Sequence, residues 1–182
     1  MKKLSLAVLM ALSFAANAAD NFGHIQLVHR STTGDDAGSP NRNGANITLG
    51  HKLEKNFSLD FNGQYREQNG DNKDATTRLE IGATPQNERF YVRGALGVKT
   101  NDESHLYYSI EPGLRWTLSP KLSAKPAYRY RDAFNSANDQ THTARLGLEY
   151  AVTDLQSITA GYDRSFGDSE WNGLSLGYAV KF

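Results

Sequence analysis

The last twelve residues, Trp171 to Phe182, read W-N-G-L-S-L-G-Y-A-V-K-F. Leu174, Leu176, Tyr178, Val180 and Phe182 fall on every second position, with Gly173, Ser175, Gly177, Ala179 and Lys181 between them. A side-chain period of two belongs to a β-strand with one greasy face and one small or polar face. On the edge of a water-exposed sheet such a strand would invite pairing with other chains. It is stable where the greasy face meets lipid and every backbone group is taken up by neighbours in a closed barrel, because hydrocarbon offers no partner for a free N–H or C=O. The expected fold class is all-β: a transmembrane antiparallel up-and-down β-barrel.

The same alternation recurs along the chain and predicts ten strands, with eight or twelve as alternatives. They are expected at about Phe22 to Arg30, Asn43 to Leu53, Phe57 to Arg66, Ala75 to Thr84, Arg89 to Lys99, His105 to Leu118, Leu122 to Arg131, Thr141 to Tyr150, Gln156 to Arg164, and Trp171 to Phe182. Phe57, Leu59, Phe61 and Tyr65 interleaved with Ser58, Asp60, Asn62, Gln64 and Arg66 form the clearest case. Five longer polar connections alternate with four short turns rich in Pro, Asn, Asp and Lys, which suits hairpins joined end to end. Pro112 falls inside the sixth strand; it lacks an N–H for the ladder, so a bulge is expected there. Tyr65, Tyr108, Trp116, Tyr128, Tyr130, Tyr150, Tyr162 and Tyr178 fall on the apolar face, many near strand ends, as interfacial girdles would. A β-sandwich with these residues as its core is the soluble alternative.

The chain begins M-K-K-L-S-L-A-V-L-M-A-L-S-F-A-A-N-A. Two lysines, an apolar stretch and an A-N-A site predict a signal peptide over 1–18, leaving 19–182 as one barrel domain. The apolar stretch is shorter than the roughly twenty residues a helical span needs. With no Cys, thiolate metal sites and disulfides are excluded. His24, His29, His51, His105 and His142 show no metal-ligand spacing, and no cofactor is expected. His105 and His142 begin strands with Asp102 and Asp139 close by in sequence, but the loops are too short to build a catalytic cleft, so the chain is expected not to be an enzyme. No nucleic-acid module is present.

The polar face carries the informative chemistry. Arg30, Lys52, Arg66, Arg78, Arg93, Lys99, Arg115, Lys125, Arg129, Arg131, Arg145 and Lys181 alternate onto it, against Asp60, Glu80, Glu111, Glu149 and Asp163. The whole chain is nevertheless neutral, with 20 basic and 20 acidic residues. The loops carry the balance in Asp35, Asp36, Asp71, Asp74, Asp102, Glu103, Asp132, Asp139, Asp168 and Glu170. A narrow bore with low-dielectric walls focuses the field of such a lining, and guanidinium pairs well with carboxylate or phosphate. Arg66, Arg78, Arg93, Arg115, Arg129, Arg131 and Arg145, with Glu80, Glu111 and Glu149, are the candidate pore-lining residues. The expected function is passive diffusion of small or acidic solutes. The alternative is a non-conducting structural or adhesive barrel in which Glu80, Glu111 and Glu149 pair with neighbouring Arg78, Arg115 or Arg145 and fill the bore.

The terminal alternation ending on Phe182 resembles the C-terminal signature of Gram-negative outer-membrane β-barrels, in which the barrel assembly machinery reads the last strand. That resemblance implies export through the periplasm to the outer membrane, with lipid and lipopolysaccharide as surroundings. The Arg-rich polar face and the Y-R-Y-R segment from Tyr128 to Arg131 are similar to the oligogalacturonate-specific porin family, which implies acidic oligosaccharides as solutes. That family has more strands and a longer chain.

Overall fold

A computed structural model describes residues 20–33, 40–68, 75–101, 104–134 and 140–182. The expected signal peptide, 1–18, lies outside the described residues, as do the loop acids Asp35, Asp36, Asp71, Asp74, Asp102, Glu103 and Asp139. The described chain is built from β1 (Asn21–Thr32), β2 (Arg42–Glu54), β3 (Phe57–Gln68), β4 (Ala75–Pro85), β5 (Phe90–Thr100), β6 (Ser104–Leu114), β7 (Trp116–Ser119), β8 (Leu122–Ala133), β9 (Thr141–Ala151), β10 (Gln156–Gly167) and β11 (Trp171–Lys181).

Every paired strand is antiparallel to its neighbours in the sheet. β1 pairs with β11 over eleven residues, and β6 pairs with β8, so the sheet closes and has no edge. β6 and β7 are halves of one strand: Ile110 faces Tyr130, Gly113 faces Ala127 and Trp116 faces Ala124, all in one register. The barrel therefore has ten strands. The bulge expected at Pro112 is absent. Pairing with β8 lapses at Glu111 and Pro112 and resumes at Gly113 without an inserted residue. Pro112 still faces Val92 on its other side. The missing N–H removes a rung, and the strands on both flanks hold the register. Pairing lapses again at Leu114 and Arg115 and resumes at Trp116 in the same register, and the register shifts at the tip of the hairpin, between Thr117 and Ser119.

Strands of 11 to 13 residues suit a membrane span. At about 3.3 Å per residue and a tilt of about 40°, eleven residues rise roughly 28 Å, close to the hydrocarbon thickness. Even-numbered residues of β1–β4 and odd-numbered residues of β5–β11 point inward. The other parity forms an apolar belt that the protein leaves uncovered: Leu27 and Ile81 are each 68% exposed and Leu176 62%. An inside-out burial pattern of this kind is what lipid as solvent produces. Trp116, Tyr150 and Tyr178 stand on the belt towards the short-turn end. Towards the other end Tyr108, Tyr130, His142 and Phe166 run across four strands, with centroids 5.3 to 6.1 Å apart between successive rings.

Inside, small residues seat large ones, as a narrow barrel requires. A Cβ on Gly82 would come within 2.6 Å of the Arg93 guanidinium, and one on Gly97 within 2.6 Å of the Tyr107 ring. Both glycines therefore serve close approach across the inner wall. Placing a charge at mid-height of the belt should cost folding energy. Leu176→Arg is expected to lose about 2–4 kcal/mol, read as a lowered denaturant midpoint for refolding into lipid vesicles. Ser175→Thr, on the inner face, should leave the midpoint nearly unchanged.

Candidate functional site

Side chains on strands that do not touch can meet only through the lumen, and their contacts define its interior. Arg93 on β5 reaches past β4 to Asp60 on β3, with Nε to Oδ2 at 3.0 Å and Nη2 to Oδ1 at 2.6 Å. Its Nη1 donates to Glu80 Oε2 at 3.1 Å. Glu80, on β4, is 1% exposed. Its other oxygen accepts from Tyr107 Oη on β6 at 2.9 Å and from Arg129 Nη2 on β8. Arg129 also donates to Ser109 Oγ at 3.3 Å. The Arg129–Glu80 pair passes over both β5 and β6, so it crosses the bore as a strut.

A second group lies beside it. Arg145 on β9 donates through Nη1 to Glu111 Oε2 on β6 at 2.5 Å, and through Nε to Asp163 Oδ1 on β10 at 3.2 Å. A third lies lower, where Lys125 on β8 pairs with Glu149 on β9, which also accepts from Ser157 Oγ at 2.8 Å. His24 Nε2 meets Thr159 Oγ1 at 2.8 Å near this level. The inner acids Asp60, Glu80, Glu111, Glu149 and Asp163 thus all have basic partners, which buried carboxylates need.

Near the long-loop end the lining is more basic. Arg66 is 3% exposed, with Nη2 donating to Asn46 Oδ1 at 2.6 Å and Nη1 to the Tyr65 carbonyl at 2.7 Å. Arg30 stacks on Trp171, its guanidinium carbon 3.7 Å from the ring centroid. Arg131 lies over Tyr107 at 5.6 Å. Arg66, Arg78 and Arg131 all bear electrostatically on Arg30, where Asp163 is the opposing charge. At the short-turn end Arg115 donates to Gln86 and lies over Tyr91 at 5.5 Å.

Every residue expected to line the pore therefore stands on the inner face: Arg66, Arg78, Arg93, Arg115, Arg129, Arg131, Arg145, Glu80, Glu111 and Glu149. Glu111 takes Arg145, 34 positions away, rather than its sequence neighbour Arg115. Glu149 takes Lys125, and Glu80 takes Arg93 and Arg129 from other strands. Two residues apart on one strand means about 7 Å of rise, whereas curvature brings side chains from different strands together at the centre. Arg42 was missed because its strand starts one residue earlier than the alternation suggests; it donates to Thr76 Oγ1 at 3.4 Å. Tyr91, Tyr107 and Trp171 were legible as inward by parity, but nothing local marked them as partners of arginines. His142 packs outside, bonded to Tyr128 Oη and stacked on Phe166. It lies away from the charged interior.

No family model matches the chain, and no curated protein matches it. Solved structures do match in fold. The translocator domain of autotransporter NalP from Neisseria meningitidis aligns with a TM-score of 0.50 at 11% identity, covering 100% of this chain and 96% of that one. The beta domain of the Bordetella autotransporter BrkA aligns at 0.50 and 12% identity, over 91% and 100%. The KdgM porin in complex with disordered oligogalacturonate aligns at 0.50 and 11%, over 87% and 99%. The chain is thus similar in fold to outer-membrane β-barrels, an oligogalacturonate porin among them.

The two kinds of lumen pair should differ in stability. Arg93→Met leaves Asp60 without its donor and weakens the support of Glu80; it is expected to cost about 3–5 kcal/mol in denaturant unfolding of the refolded barrel. The Lys125–Glu149 pair is 38% and 22% exposed at its side chains, and Lys125→Met should cost about 1 kcal/mol or less.

Proposed function

We propose that this chain is a small outer-membrane channel that passes small solutes passively and prefers anions. The observation that carries the reading is the charge of the inner face: twelve Arg and Lys anticipated there, and Arg42 besides, face five carboxylates in a protein whose net charge is zero. All five carboxylates are held by basic side chains, so the surplus near the long-loop end is positive. A field of that sign in a narrow bore concentrates anions and repels cations. No bond is made or broken in this reading, and the protein acts without enzymatic chemistry.

Carboxylate-bearing oligosaccharides are the proposed solute class. The guanidinium fork suits their carboxylates, and one fold neighbour was solved with disordered oligogalacturonate. The aromatic belts suit an outer membrane with lipopolysaccharide in its outer leaflet, reached by export through the periplasm. The terminal strand ending at Phe182 is the segment for the assembly machinery to read. A specific observation also favours the non-conducting alternative: the Arg129–Glu80 strut crosses the bore.

Single-channel recording of the refolded mature protein across a salt gradient tests the reading. Discrete conductance steps with a reversal potential on the anion side are expected. Changing Arg129 and Arg145 together to Glu should weaken or reverse that preference. Unchanged selectivity in the double variant would remove the lining from the mechanism. Silence from folded, inserted protein would favour the non-conducting barrel.

A further inference from the structure

The strut has an alternative partner built into the wall beside it. Ile110 faces Tyr130 and Gly113 faces Ala127, which sets Glu111 opposite Arg129 on the adjacent strand. Arg129 nevertheless reaches away from Glu111, over two strands, to Glu80. Glu111 still feels its charge. Meanwhile Glu111 accepts from Arg145, and Arg145 holds a second carboxylate in Asp163.

Suppose Arg129 turns back to Glu111. Glu80 keeps Arg93 Nη1 and Tyr107 Oη. Arg145 keeps Asp163. Arg93 keeps both oxygens of Asp60. No carboxylate and no guanidinium loses all of its charged or hydrogen-bonded partners. Breaking a buried ion pair is costly because a charge is left behind, and here none is. Both states are therefore accessible with the rest of the network in place. They differ in geometry: Arg129 held by Glu80 spans the bore, whereas Arg129 held by Glu111 lies along the wall.

We propose that Arg129 is the gating residue of the lumen, exchanging between Glu80 across the bore and Glu111 on the neighbouring strand, the first state narrowing the passage and the second widening it. The gating part rests on the channel reading above; the exchange itself does not.

Glu80→Gln and Glu111→Gln each remove one inner carboxylate, so a purely electrostatic role would move conductance and anion preference in the same direction for both. Exchange requires opposite directions. Glu80→Gln releases the strut and raises the occupancy of the larger conductance, by about tenfold in the ratio of states. Glu111→Gln removes the wall site and lowers that occupancy. Arg129→Gln should resemble Glu80→Gln, and it serves if Glu80→Gln fails to fold. The same sign for Glu80→Gln and Glu111→Gln would overturn the gate.

A second measurement needs no current. The coupling between Arg129 and Glu111 is read from denaturant midpoints of the single and double Gln variants, once with Glu80 present and once with Gln at position 80. Exchange predicts a coupling that is small in the first case and larger in the second. Equal coupling in both overturns the exchange, whatever the currents do. Coupling that grows while every variant stays silent keeps the exchange and overturns the channel reading instead.

Discussion

Everything in this structure depends on one constraint: in hydrocarbon each backbone N–H and C=O must find a partner within the protein. Ten strands meet it by closing on themselves, through β1 with β11 at one seam and β6 with β8 at another. Closure fixes the parity of every strand, because one residue of slip would turn the apolar belt inward. It also explains why Pro112 leaves so little trace. One absent rung is tolerated when ladders on both flanks already set the register.

Closure then creates a second problem. Ten strands enclose a bore narrow enough for side chains two and three strands apart to meet across it, and this chain fills it with charge. The buried carboxylates are tolerable only because each finds a cation, and the cations come from strands far apart in sequence: Arg93 and Asp60 are separated by 33 positions, Arg129 and Glu80 by 49. The glycines under Arg93 and Tyr107 belong to the same solution, since a Cβ at either would occupy the space the larger side chain needs. Stability and the shape of the bore are thus set by the same residues. An interior paired everywhere would be stable and closed, while one with surplus cations holds a field and leaves room for change.

The paired and surplus regions are unevenly distributed. Asp60, Glu80, Glu111 and Glu149 anchor the middle and lower lumen, and Arg30, Arg66, Arg78 and Arg131 crowd the long-loop end, where Asp163 stands level with Arg30 and aromatic faces give partial support. An anion approaching from that end would meet the positive region first and the strut afterwards. Likeness of fold to autotransporter domains and to a porin leaves the use of the bore open, because the same barrel houses both. The argument for a function therefore has to come from the lining.

Alternation alone favoured ten strands over eight or twelve, and it gave the side of the sheet that meets lipid and the face on which each inward arginine and glutamate stands. It could do so because a period of two is local and each strand carries its own copy, as Phe57 to Arg66 and Trp171 to Phe182 illustrate. The start of β2 was misplaced by one residue and Arg42 with it, since Asn43 and Arg42 are both polar and no change of period marks the boundary. Only the tertiary structure decided the partners. That Glu80 belongs to Arg129, that Glu149 belongs to Lys125, and that Glu111 belongs to Arg145 with Arg129 opposite it on the adjacent strand follow from barrel curvature and from the registers accumulated around ten strands. No stretch of sequence contains that information, because a contact across the bore depends on every strand between its two ends.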